Sequence, residues 1–113
     1  RAIEGGHGDW EQPDTIAGSI EIAAPARGRE AVAAVRETDG EGVAVPDDAL
    51  LANAVDETAA TGLEISLAGG TGLAGARRLA DTFDVDDTVV VINPLSGSKE
   101  SDVLRSELMS RGQ

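Results

Sequence analysis

With 113 residues, 21 of them acidic and 9 basic, the sequence carries a formal net charge of −12, which argues against nucleic acid as a partner because phosphate backbones need a basic stripe. Hydrophobic residues make up 41% and aromatic ones only 2%, so this length supports one modest core of Ala, Val, Leu and Ile, and the absence of Cys rules out disulfides and thiolate metal sites. No apolar run approaches the ~20 residues that span a bilayer, and no basic-then-apolar leader opens the sequence, so we expect a cytoplasmic protein without a membrane partner. Lys99 is the only lysine, and a dense acidic surface poor in lysine suits a halophilic protein, since concentrated salt screens its self-repulsion. The sequence opens at Arg1, without Met, in a Gly-rich stretch, which leads us to expect a further part upstream.

Residues 1–14 are rich in Gly and acid and show no period, which predicts a flexible loop. His7 lies there with no Ser or Cys beside it to activate, so a solvated side chain is expected. Thr15–Ile22 reads as a short helix or strand, and Val32 and Val35 predict a short helix from Arg29 to Glu37. A strand is expected at 42–45. Pro46-Asp47-Asp48 suits a helix start, and Leu50, Leu51, Ala54 and Val55 carry that helix to about residue 60, where Gly62 breaks it. Leu63–Leu67 alternates as a strand, Leu73–Ala80 follows as a helix, and Thr88–Ile92 reads as the most buried strand. A last helix is predicted from near Ser98. Alternating strands and helices imply a small α/β arrangement of mostly parallel strands.

Two stretches offer chemistry. Gly70-Thr71-Gly72-Leu73-Ala74-Gly75 has the G-x-G-x-x-G spacing whose backbone N–H groups hold a pyrophosphate, yet no acid for a ribose closes the next apolar run at Ile92-Asn93-Pro94. The alternative is that these glycines permit close helix packing. Asn93-Pro94-Leu95-Ser96-Gly97-Ser98-Lys99 follows the most apolar run, where α/β folds place ligands; Ser96 and Ser98 are candidate contacts for a polar or anionic group, or else helix caps. Paired acids such as Asp47-Asp48 and Asp86-Asp87 suit turns and helix starts better than acid/base or metal chemistry.

Taken in order, the segments resemble the C-terminal stretch of fold-type-II pyridoxal-phosphate (PLP) enzymes, the group containing threonine synthase. The residues that carry the resemblance are Arg1-Ala2 with Gly5, Thr15-Ile16-Ala17 with Ile20 and Pro25, Val35-Arg36-Glu37 with Gly40, Val43-Ala44-Val45, Asp47-Asp48 with Ala54, Gly62-Leu63-Glu64, Ala68–Ala74, and Val89–Asn93 followed by Ser96-Gly97-x-Lys99. The resemblance implies a small three-layer-like α/β fold over residues 15–113, a single domain forming the C-terminal segment of a larger PLP-enzyme domain. It also implies a PLP-dependent lyase acting on amino acids by β-elimination or replacement. Glu64, Ser96 and Gly97 would be the cofactor contacts, with a neutral hydroxyl reaching the ring nitrogen and leaving it unprotonated. Pro94 and Leu95 stand where the family has Thr and Gly, so either Ser96 takes over that contact after a local shift or the pocket has lost it. The Schiff-base lysine and the phosphate cradle belong to an upstream region, and Lys99 matches the tail lysine of the motif. No catalytic residue is therefore assigned, and the expected partner is the upstream part of the same enzyme or a complementary chain, with a homodimer as a further expectation. Two alternatives stand beside this reading: a non-catalytic interaction or regulatory module that has lost PLP, and a nucleotide-binding domain at Gly70–Gly75.

Overall fold

A computed structural model describes residues 13–112, and the chain divides into two units, Arg1–Ala44 and Val45–Gln113. His7, Trp10 and most of the expected loop over 1–14 fall outside the described residues. In the first unit the stretch expected as helix or strand forms a single 3-10 turn, Gly18–Ile20, next to the fully buried Ala17. Helix α1, Gly28–Glu37, ends as Asp39 turns into the left-handed region at φ 53° and the Gly40 N–H reaches Val35 O at 2.7 Å. Asp is among the few side chains that tolerate that conformation.

The second unit is built on helix α2, Asp47–Thr61, and helix α3, Leu67–Arg78. Asp47 and Asp48 occupy the first turn of α2, where acids complement the helix dipole, and Gly62 closes it at φ 74° with its N–H on Thr58 O. Leu50, Ala54 and Val55 of α2 are buried, as are Leu67, Ala68 and Ala74 of α3. The two helices meet at Gly70: a Cβ there would lie 2.3 Å from Leu50 O and 2.9 Å from the Ala54 Cβ, so only hydrogen fits. Helix α4, Ser101–Ser110, follows a 3-10 turn over Gly97–Glu100 and packs on α2. Arg111 ties its end to α2 by donating to Asp56 and Glu107, each at 2.7 Å; the Glu107 bond, then the Asp56 bond, raise the guanidinium pKa above its ordinary value.

The expected α/β architecture is wrong. Among the described residues there is no strand and no sheet, at 42–45, at Leu63–Leu67 or at Thr88–Ile92. An isolated antiparallel bridge joins Ile65 to Ser96. The physical reason is that a β-branched run becomes a strand only when a neighbour takes its backbone hydrogen bonds. No backbone hydrogen bond joins Thr88–Ile92 to another described segment, and Val90 and Ile92 are 80% and 77% exposed. At Leu67 a second effect decides: Ser66 caps a helix there, so α3 starts six residues ahead of the expected Leu73 and takes in the end of the predicted strand.

Candidate functional site

The site grows from the start of α3. Ser66 is fully buried, and its Oγ accepts from the Gly69 N–H at 3.0 Å as the helix cap. Asn93, distant in sequence, grips the same place: its Oδ1 accepts from Ser66 N at 3.0 Å and from Ser66 Oγ at 2.9 Å, while its Nδ2 donates to Glu64 O at 3.0 Å. Glu100 accepts from the Leu67 N–H at 2.7 Å, setting an acid against the positive end of α3. These bonds hold the chain around Glu64 against the chain around Ser96.

Between those two segments the structure brings together the three residues expected to meet a cofactor. The Gly97 N–H reaches Glu64 O at 3.3 Å, and a Cβ on Gly97 would stand 2.6 Å from Ile65 O, so the close approach requires glycine. The Ser96 hydroxyl donates to the Glu64 carboxylate, and the hydroxyls of Ser96 and Ser98 are 2.7 Å apart. Pro94 is exposed and Leu95 half-buried in the link between Asn93 and Ser96. Lys99 is exposed in the following 3-10 turn, with its N–H on Ser96 O. Beside Glu64 opens a cleft of about 310 Å³, with Glu57, Glu64 and Asn93 as polar lining and Leu63, Leu73 and Val91 as apolar wall. Glu57 pairs with Arg77 of α3 at 3.4 Å, and Arg77 also donates to Asn53.

The G-x-G-x-x-G stretch takes no part as a phosphate cradle. Gly70, Gly72 and Gly75 lie inside α3, and the Gly70 N–H is spent on Ser66 O at 2.8 Å. The packing alternative accounts for Gly70, and Gly72 lies close to Val91; nothing stands within 4 Å of a Cβ at Gly75. Among the described residues no group of His, Cys, Asp or Glu is placed to hold a metal, and no helix is long and apolar enough to cross a membrane.

Sequence reasoning placed Asn93 in the right stretch but missed its reach to Ser66, 27 residues away, and missed Glu100 at the helix start. An Asn directly after an apolar run was the available signal; its partner was not visible.

For PLP the fit is partial. The cleft has room for a single ring with an apolar wall and a polar edge, and the residues of that edge, Asn93 and Glu64 with Ser96 hydrogen-bonded to it from outside the lining, fit its nitrogen end. They do not fit its phosphate: at the start of α3 the N–H of Leu67 is committed to Glu100 and that of Gly69 to Ser66.

Over 84 residues, 73% of this chain, the sequence is 34% identical to the threonine synthase of Methanosarcina acetivorans, and the match spans 21% of that protein's length. No family model matches the sequence, and no solved structure matches it. The similarity supports, at most, a distant threonine synthase-like relationship.

Proposed function

We propose that this chain contributes one wall of a threonine synthase-like, PLP-dependent enzyme acting on amino acids, and that the Schiff-base lysine and the phosphate cradle come from another segment, upstream in the same enzyme or on a complementary chain. The observation that carries this reading is the convergence of Glu64, Ser96 and Gly97 beside the cleft, from positions 32 residues apart, in a sequence partly similar to a threonine synthase. PLP, when bound, supplies an electron sink. This chain's own residues would do the positioning: Glu64, with Ser96 hydrogen-bonded to it, meets the ring's nitrogen edge, Leu63, Leu73 and Val91 keep water from its face, and Asn93 holds the two segments in register.

A second reading, a regulatory or interaction module that has lost the cofactor, is favoured by Glu100 standing at the α3 start and by Pro94, which offers no donor. An NMR titration of the isotope-labelled chain with PLP in concentrated salt separates the two. The first predicts saturable shifts at the amides of Glu64, Ser96 and Gly97, with no borohydride-fixed adduct on Lys99. No shift at those amides, or an adduct on Lys99, overturns it.

A further inference from the structure

We propose that Thr88–Ile92 is a docking edge: the segment that carries the Schiff-base lysine joins this chain by laying an extended strand along that run, a strand with an uncharged, β-branched middle and a cationic end. This rests on the reading of the chain as one wall of a larger site and adds to it the surface used and the chemistry of the partner.

Within this chain the run belongs to no sheet, yet Thr88-Val89-Val90-Val91-Ile92 is five β-branched residues in a row, the composition that pairs best with a neighbouring strand. Its side chains already alternate. Val91 lies against Gly72 and the Asn93 side chain against Gly69, so residues two apart in the run sit on α3 one helical turn apart. Val90 and Ile92, the residues between, are 80% and 77% exposed. No backbone hydrogen bond joins the run to another described segment, which leaves its N–H and C=O groups open to an added strand. Asn93 is held in turn by Ser66 and by Glu64 O, so one end of the run is fixed before a partner arrives, and docking there costs little further ordering on this side.

Position and charge select the occupant. Val91 and Asn93 also line the cleft, so a strand laid along the run stands beside it, where the residues this chain lacks are needed. The matched threonine synthase is long enough to supply such a strand, since the similarity spans 21% of its length. Asp84, Asp86 and Asp87 are exposed just before the run. After it, Asn93 and Pro94 carry no charge, and Pro94, without an N–H, ends the pairing. A strand whose cationic residue falls beside Asp86 and Asp87 is therefore favoured. A second copy of this chain is the poorer occupant, because each copy brings a net charge of −12.

Three end-blocked peptides test this on the full chain, by NMR and amide exchange in about 0.15 M salt, where charges are screened beyond about 8 Å. They are Lys-Thr-Val-Thr-Val-Thr-Lys, with a cation at either end to suit both strand directions, its Glu-ended counterpart, and the Lys-ended peptide with Pro at its centre. The Lys-ended strand should give saturable shifts and slowed exchange at the amides of Thr88–Ile92. The Glu-ended strand should bind about threefold more weakly, and the central Pro should cost about tenfold or more. In the chain, Val90→Pro should abolish the shifts and Val90→Thr should keep them, with unchanged α3 amides reporting that both variants fold. Equal binding of the Lys-ended and Glu-ended peptides overturns the cationic partner. Equal binding of the Pro-centred peptide, or no shift at Thr88–Ile92 with millimolar Lys-ended peptide, overturns the docking edge; shifts with PLP at Glu64, Ser96 and Gly97 would then leave the site reading standing, and their absence would remove both. Protection of Thr88–Ile92 that grows with chain concentration alone makes a second copy the occupant and overturns the proposal.

Discussion

The run Thr88–Ile92 is more apolar in sequence than the start of α3, yet the two end in opposite environments, with the α3 start the buried one. Leu67 is 0% exposed, while Val90 is 80% and Ile92 77% exposed. The difference lies in the backbone. At Ser66–Gly70 four of the five N–H groups have partners: Asn93 and Glu100 take those of Ser66 and Leu67, the Ser66 side chain takes that of Gly69 and Ser66 O that of Gly70, where the missing side chain lets α2 come close. At Thr88–Ile92 no other described segment offers one. Apolar side chains are drawn inside only where the peptide groups they bring along are also satisfied, since an unpaired buried amide costs about as much as a buried methyl group or two returns.

Leu50→Ala attacks the satisfied region at its packing, and because Leu50 is 2% exposed the expected loss is the largest here, about 3 kcal/mol in denaturant unfolding. A loss under about 1 kcal/mol would mean that the α2–α3 contact is loose. Asn93→Ala attacks the same region at its hydrogen bonds, leaving Ser66 N and Glu64 O without their partner; about 2 kcal/mol is expected, together with faster amide exchange at Ser66 and altered shifts at Ser96. Unchanged exchange at Ser66 would break the idea that Asn93 holds the site. Val90→Thr, in the exposed run, should change stability by less than about 0.5 kcal/mol. A larger loss would show that this run is covered in solution, and the contrast between the regions would fall.

Helices whose signals are local were legible in the sequence. Val32 and Val35 marked α1, and Pro46-Asp47-Asp48 with Gly62 bracketed α2 almost to the residue, because caps and breakers act within a turn of where they stand. Gly70 was legible as a packing glycine but not as facing Leu50. The strands were misread because alternation and β-branching report that a segment has surfaces to cover, and say nothing of whether a neighbour arrives to cover them. At the site, residue types were readable and connections were not: Ser96 and Glu64 were singled out separately, while the hydrogen bond between them joins residues 32 positions apart.

By itself, then, the sequence determined the acidic character of the molecule, the positions of α1 and α2 through caps and breakers, and the side chains available for chemistry. Tertiary structure decided that the run at Thr88–Ile92 has no sheet, that the Gly-rich stretch lies within a helix instead of cradling phosphate, and that Glu64, Ser96 and Gly97 share one place. The reason is range: capping and periodicity act over a few residues, whereas a strand's partner, a helix's contact face and a hydroxyl's hydrogen depend on segments that only folding brings within about 3 Å.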